Sequence, residues 1–185
     1  LVFAAWALMI RSMHHFFVGD PLPEAAREAA TYAEALVELK HDSGTQYINA
    51  VRQAELCLIG EQAPTPWRLQ GSALDDATML PVHHQANDLF GVCNVHLYSL
   101  VLCYWFERHE EGLAQAIQAE RYLDTVAALM QVPIFTFYDS LNRLAIAGAC
   151  PPAVRGAHLR KVAASQKKMK DWAEHAPRNH RHRYL

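Results

Sequence analysis

The sequence predicts an all-α fold, an α-solenoid of about four antiparallel helical hairpins. Three observations carry this prediction. Apolar residues recur three and four positions apart through most of the chain, and no segment requires a β-strand. Residues 87–130 contain two such periodic runs, separated by a very short polar bend. Gly and Pro clusters end the runs at intervals of roughly 40 residues, which favours a solenoid over a four-helix bundle.

The hairpin at residues 87–130 is the part around which the chain is organised. The first helix has a broad apolar stripe, so we expect it to be covered on more than one side. This stripe contains Leu89, Val92, Cys93, Leu97, Leu100, Val101 and Tyr104. The second helix has one apolar face, formed by Leu113, Ala116, Ala119, Leu123, Val126 and Met130. Small residues at Gly112, Ala116 and Ala119 allow the helices to approach closely, which is typical of tetratricopeptide-like hairpins.

The remaining helices are predicted from the same spacing and from the residues at their ends. Residues 2–18 are apolar nearly all round, so this helix should be sandwiched between neighbours. Pro23 and Glu24 suit the first turn of a second helix. The predicted ranges are 2–18, 23–40, 45–61, 75–80, 132–149 and 154–175, with another helix beginning at 179. Residues 62–85 form the longest irregular segment, and such insertions in hairpin arrays often lie on a binding rim.

Length and composition indicate one domain. The chain has 185 residues, enough for one sizeable core, so residues 1–185 are interpreted as a single helical-repeat domain. The first residue is not Met and both ends fall within helical patterns, which indicates a piece of a longer protein. No apolar run reaches the roughly 18 residues of a membrane-spanning helix, and no signal peptide is evident. The four cysteines lie in apolar helical surroundings, as buried free thiols of a cytoplasmic protein do.

A second interpretation is a metal protein or an enzyme built on a histidine cluster. The candidate ligands are His83, His84, Cys93 and His96. Zinc requires four converging ligands, usually in close Cys or His pairs, and a second pair of that kind is missing. The other close histidines are His14 with His15 and His180 with His182. Histidines of the core or of the rim are the favoured interpretation, and no metal ligand is assigned.

No catalytic or cofactor-binding residue is assigned either. The chain lacks Gly-rich phosphate loops, dinucleotide-binding turns and protein-kinase motifs. Ser140 beside Asp139 lies in a helical stripe and has no nucleophile arrangement around it. One aromatic series could line a ligand groove, although such a series more often belongs to the core. It contains Tyr104, Trp105, Phe106, Phe135, Phe137 and Tyr138.

The charge is unevenly distributed along the chain. Residues 155–185 carry nine Lys or Arg against two acids, although the whole chain has a formal net charge of −2. A solvated outer face on a terminal helix explains this excess most simply. The alternative is nucleic-acid binding by the last long helix through Lys167, Lys168 and Lys170.

Three stretches carry a resemblance to a known group of proteins. They are residues 7–40, residues 103–145 and residues 161–185, and their most specific pieces read VPIFTFYDSL and DWAEHAPRN. The stretches resemble the helical-repeat region of large multidomain bacterial signalling proteins. In that group the region follows a Ser/Thr-kinase-like domain and an AAA-type (STAND-like) ATPase domain, and it precedes a GAF domain and a histidine kinase. The chain departs from the pattern at the hairpin bend, with Glu107 in place of Gly and His109 in place of an aromatic residue.

The resemblance implies a regulatory and scaffolding segment that is not itself an enzyme. Its parent would be an ATP-dependent histidine or Ser/Thr kinase of a two-component system, and its partners would be neighbouring domains or other proteins. A small effector bound by the helices is one alternative, and a nucleic-acid-binding segment of a transcription regulator is another. Apolar Phe3, Trp6 and Ile10 are expected to be exposed, where they could promote self-association.

Overall fold

The structure, a computed structural model, describes residues 2–60 and 65–184. Within these ranges it is all-helical, and the one extended pairing is an isolated bridge between Gln70 and Asp75. This confirms the predicted all-α class. The α-helices are α1, Val2–Val18; α2, Leu22–Glu38; α3, Asp42–Ile59; α4, Asp76–Gln85; α5, Leu89–Trp105; α6, His109–Glu120; α7, Gln131–Ala147; α8, Pro152–His175; and α9, Pro177–His180. Single 3₁₀ turns occupy Leu123–Val126 and Arg181–Arg183.

Three turns of three residues share one geometry, and they connect α2 to α3, α4 to α5 and α5 to α6. The middle residues Lys40, Asn87 and Glu107 have left-handed φ values of 54°, 52° and 57°. In each turn the following N–H donates to the carbonyl five residues earlier, at 2.7–2.9 Å. This bond satisfies a carbonyl at the end of one helix while the next helix begins, as in a Schellman motif.

Helix α5 is the centre of the core, as its broad apolar stripe predicts. All residues from Gly91 to Cys103 are buried. Helices α3, α4, α6 and α7 pack around α5. The Tyr98 ring of α5 packs against the Phe16 and Phe17 rings of α1. A Cβ atom at Gly112 would lie 3.1 Å from the Cys103 Cβ and 2.6 Å from the Asn142 Oδ1, which confirms that α6 approaches its neighbours closely there.

Helix α6 is shorter than predicted. It ends at Glu120, whereas the apolar spacing predicted a helix continuing to Met130. A turn and the 3₁₀ segment follow, in which the Thr125 hydroxyl donates to the Tyr122 carbonyl at 2.6 Å. Such local bonds compete with helical hydrogen bonds. Val126 is still buried against the core, so apolar spacing persists where the helix does not.

Helix α1 was predicted to be sandwiched, and this is wrong. Ala5, Met9 and Met13 are buried on one face, but Phe3 and Trp6 on the other are 91% and 41% exposed. The helix packs on α2 and α3 and, through Phe16, on α5. These neighbours cover only part of its apolar surface. The predicted exposure of Phe3 and Trp6 is confirmed, whereas Ile10 is half-buried and packs against the core.

The irregular segment before α5 is tied to the core rather than projecting from it. Leu69 and Leu74 are fully or nearly fully buried. The Gln53 side-chain carbonyl accepts hydrogen bonds from the backbone of Ala73 and Leu74 at 3.1 and 3.3 Å. The short helix predicted at 75–80 extends to Gln85 and passes through Pro81, and the first residues of the predicted segment, 62–64, lie outside the described residues.

Candidate functional site

Residues 177–184 fold back over the body of the protein. After α8 the chain turns at Pro177 into α9 and then into the 3₁₀ turn, and we call residues 177–184 the tail segment. The tail segment packs on α8 and shares the lining of two open clefts with the end of α1 and the start of α7. His182 and Arg183 line both clefts, as do Phe17 and Val18 of α1.

The first cleft, which we call the aromatic cleft, has a volume of about 420 Å³. Its aromatic side chains are Phe16, Phe17, Trp105, Phe137 and Tyr138. The Trp105 indole N–H donates to the Tyr138 hydroxyl at 3.2 Å, although Trp105 is 60% exposed. One carboxylate lines this cleft, that of Asp20, and it is bonded to the ring of His15. The cleft therefore offers flat apolar surface with few free polar groups.

The second cleft, which we call the basic cleft, has a volume of about 610 Å³. Among the described residues, no Asp or Glu lines this cleft. The polar lining residues are His14, Arg178, Asn179, His180, His182 and Arg183. The apolar lining residues are Phe17, Val18, Ala128, Leu129, Met130 and Pro133. Both volumes fall in the range of roughly 300–1,000 Å³ that is usual for small-molecule sites.

Burial and mutual repulsion disfavour positive charge in the tail segment. Burial lowers the pKa of the Arg183 guanidinium, against a smaller opposite effect of Tyr138. Burial and then Arg183 lower the pKa of His182, and burial, Arg183 and His182 lower that of His180. The Nδ1 atom of His180 is buried and has no hydrogen-bond partner in the described part of the chain. A bound anion would offset each of these effects.

The histidines and the cysteine considered as metal ligands are each engaged elsewhere. His83 is buried against the Asp88 carboxylate at 2.9 Å, while the His96 Nδ1 lies 2.8 Å from the Gln115 side-chain oxygen. His84 contacts the Tyr122 ring, and burial raises the pKa of the Cys93 thiol to about 11. The described residues contain no group of three or more His, Cys, Asp or Glu able to hold a metal ion.

The aromatic series is divided between core and surface. Phe135 is buried and Phe106 packs against the core, as the core interpretation expects. Trp105, Phe137 and Tyr138 instead line the aromatic cleft, as the ligand-groove alternative expects.

The three lysines of the last long helix do not form a recess. Lys167, Lys168 and Lys170 are all exposed on α8, and Lys170 lies 3.9 Å from Glu174. They belong to a solvated helix face, and nucleic-acid binding by them stays a prediction.

Sequence reasoning missed the meeting of the two ends of the chain. His14 and the pair His180 and His182 were considered separately, and residues 179–185 were expected to begin another helix. The tail segment instead ends as short turns, because Pro177 interrupts α8 and the chain then reverses. The basic run at 178–183 was the one sequence feature that pointed to this site, and it does not indicate which helices the run packs near.

None of the described helices is long and apolar enough to cross a membrane. Comparison of the chain with known protein families, with curated proteins and with solved structures finds no match.

Proposed function

We propose that this chain is a regulatory helical segment of a cytoplasmic multidomain signal-transduction kinase, and that it works by binding rather than by catalysis. Its binding site is the pair of clefts beside the tail segment. The observation that carries the proposal is the convergence of aromatic and basic side chains from four separate parts of the chain: the end of α1, the end of α5, the start of α7 and the tail segment.

The tail segment is the element through which binding would be transmitted. Among the described residues its hydrogen bonds run within residues 176–184, including the Arg183 bond to the Asn179 carbonyl at 3.0 Å. Apolar and ring contacts, such as that between Trp172 and His180, hold it on the body. An element held by few polar bonds has a low local free energy of opening. A ligand bound in either cleft would therefore shift the equilibrium between the docked and the undocked tail segment.

The arrangement of hairpins as a tetratricopeptide-like solenoid is part of this proposal. It is supported by the packing of α2 on α3, α5 on α6 and α7 on α8 in chain order. One contact joins helices that are far apart in the chain. The Gln131 side chain of α7 lies 3.0 Å from the Met13 sulfur of α1 and 3.4 Å from the Asn94 side-chain oxygen of α5. The free thiols, of which Cys57, Cys93 and Cys103 are buried, agree with a reducing compartment.

The test is a fragment screen by fluorine NMR on protein labelled with 5-fluorotryptophan. The four tryptophans divide into two probes and two internal controls. Trp105 lines the aromatic cleft and Trp172 contacts His180, whereas Trp6 packs on Phe90 and Trp67 lies beneath Arg108. We expect compounds that shift the Trp105 or Trp172 line and leave the other two lines in place. A library that shifts no line, or all four together, would contradict the proposal.

A second candidate function is contact with a neighbouring domain or another protein, and a groove of about 530 Å³ at the tip of the α5–α6 hairpin favours it. Tyr104, Trp105, Leu141 and Leu144 line this groove, and exposed Trp and Tyr are enriched at protein interfaces. A photo-crosslinking residue at Leu144 in the parent protein is expected to capture this contact. The same residue at Ile117, which is also exposed but lies outside the groove, is the control. Equal yields from both positions would reject this second function.

A further inference from the structure

We propose that the basic cleft binds an amphiphilic anion, a carboxylate or phosphate head carrying an apolar chain. This inference rests on the proposed function and names the class of ligand for one of its two clefts. The head would lie at Arg183 and the tail-segment histidines, and the chain would lie on the apolar side formed by Phe17, Leu129 and Met130.

The first argument is charge. Arg183 is half-buried, and its hydrogen bond in the structure goes to the carbonyl of Asn179 in its own segment. No carboxylate lies within ion-pair distance of it in the described part of the chain. Asp20 lines the aromatic cleft together with Arg183, but its carboxylate is bonded to the ring of His15. A partly desolvated guanidinium is normally paired, and an anion bound in the basic cleft would be a chemically matched partner for Arg183.

The second argument is the composition of the lining. Half of the lining residues are apolar and come from α1, from residues 128–130 and from α7, while the polar half comes from the tail segment and His14. A free inorganic anion would use only the polar half. A neutral apolar compound would leave the guanidinium and imidazoles without a partner, so the lining fits a molecule with one charged end.

The third argument concerns pH. In the basic cleft the charged or titratable neighbours of His180 and His182 are each other, His14 from α1, and Arg178 and Arg183 from the tail segment; residues 128–133 contribute none. His182 also lines the aromatic cleft, whose titratable lining groups are Asp20 and Tyr138. Burial and cationic neighbours lower the pKa of both imidazoles. An anion favours their charged forms and raises both pKa values. Binding therefore takes up protons, and the affinity for a carboxylate increases as the pH falls through the range in which these imidazoles titrate.

The experiment measures the affinity of octanoate and octyl phosphate by the fluorine line of Trp172, with octanol as the neutral match and inorganic phosphate as the chainless match. The test variant is Arg183→Gln and its control is Arg181→Gln. Arg181 carries the same charge in the same segment but is exposed and lines neither cleft. We expect Arg183→Gln to weaken octanoate binding on the order of tenfold or more and Arg181→Gln to change it less than about twofold. We also expect octanoate to bind more tightly as the pH is lowered; octyl phosphate is measured at constant pH, because its own second ionisation occurs at about pH 6.

Other binding results would overturn the inference, in part or together with the proposed function. Octanol binding as tightly as octanoate, or equal losses in the two variants, would overturn the anion site while leaving a ligand-binding cleft in place. Inorganic phosphate binding as tightly as octyl phosphate would overturn the amphiphile. Octyl compounds that fail to bind, when fragments do shift Trp105, would overturn this inference alone. Failure of every compound would overturn the proposed function with it.

Discussion

The substitution Glu55→Gln will make the stability of this protein less dependent on pH. Glu55 lies on α3 with a fully buried side chain, and neither carboxylate oxygen has a hydrogen-bond partner in the described part of the chain. The buried Tyr98 hydroxyl is likewise without a partner there. Burial raises the pKa of Glu55 to about 8, although Arg52 acts in the opposite direction. The native protein therefore holds a proton on Glu55 at neutral pH.

The magnitude follows from proton linkage. The unfolded chain releases this proton near pH 4.5 and the native protein near pH 8, so the native state binds the extra proton between these values. The stabilisation is fully present below the unfolded pKa and is lost as the pH rises through the folded pKa. Because one pKa unit corresponds to about 1.4 kcal/mol, Glu55 lowers the free energy of unfolding by about 3 to 4 kcal/mol between pH 5 and pH 8.

The assay is urea unfolding followed by circular dichroism at several pH values across this window. Glutamine keeps the shape of the protonated acid and cannot ionise, so the wild type and Glu55→Gln should be similar near pH 5 and diverge above it, with the variant the more stable. Glu38→Gln is the matched control, because Glu38 is an exposed carboxylate at the end of α2. A difference between wild type and Glu55→Gln that stays constant across the window would refute the reasoning.

Three further predictions concern local structure. Glu107→Gly should raise the free energy of unfolding by about 1 kcal/mol, because Glu107 is left-handed at φ 57°, and no gain in a thermal melt would count against it. Asp88→Asn should lower the free energy of unfolding by about 2 kcal/mol. The Asp88 carboxylate accepts hydrogen bonds from the Tyr47 hydroxyl at 2.8 Å and from the Gly91 N–H at 2.9 Å, and it also pairs with His83. Asp75→Asn, at an exposed helix cap, should lower it less in the same melt. Iodoacetamide should label Cys150 first in the native protein, because the other three thiols are buried and burial raises their pKa values, and mass spectrometry showing uniform labelling would contradict this.

Much of the helical fold could be predicted because it depends on local rules. The range 2–18 agrees with α1, and the predicted ends of α2, α3, α7 and α8 lie within about three residues of the observed ones. Residues 121–130 show the limit of apolar spacing, since Val126 is buried without being helical. Burial depends on the position of a residue in the whole fold, whereas a helix also needs its backbone hydrogen bonds. Here the Thr125 hydroxyl donates to the Tyr122 carbonyl and competes with helical bonding.

The candidate site was harder to predict because it is assembled from the two ends of the chain. Trp105 and Tyr138 were recognised as possible groove residues from their types alone. His14 and Arg183 lie 169 positions apart, and nothing in either local pattern indicates that they share a cleft. Their meeting depends on the turn at Pro177 and on the direction in which the last residues leave α8.

The affinity of one compound for two matched variants tests most directly whether this protein binds ligands beside its tail segment. Val18 and Val37 are 66% and 61% exposed and lie within the last two residues of α1 and α2, but Val18 lines both clefts and Val37 neither. For the compound that shifts Trp105 most, Val18→Glu should weaken binding on the order of tenfold, because it places a carboxylate among the groups the ligand contacts, and Val37→Glu should leave binding unchanged. Unchanged binding to Val18→Glu, or an equal loss in both variants, would contradict the account.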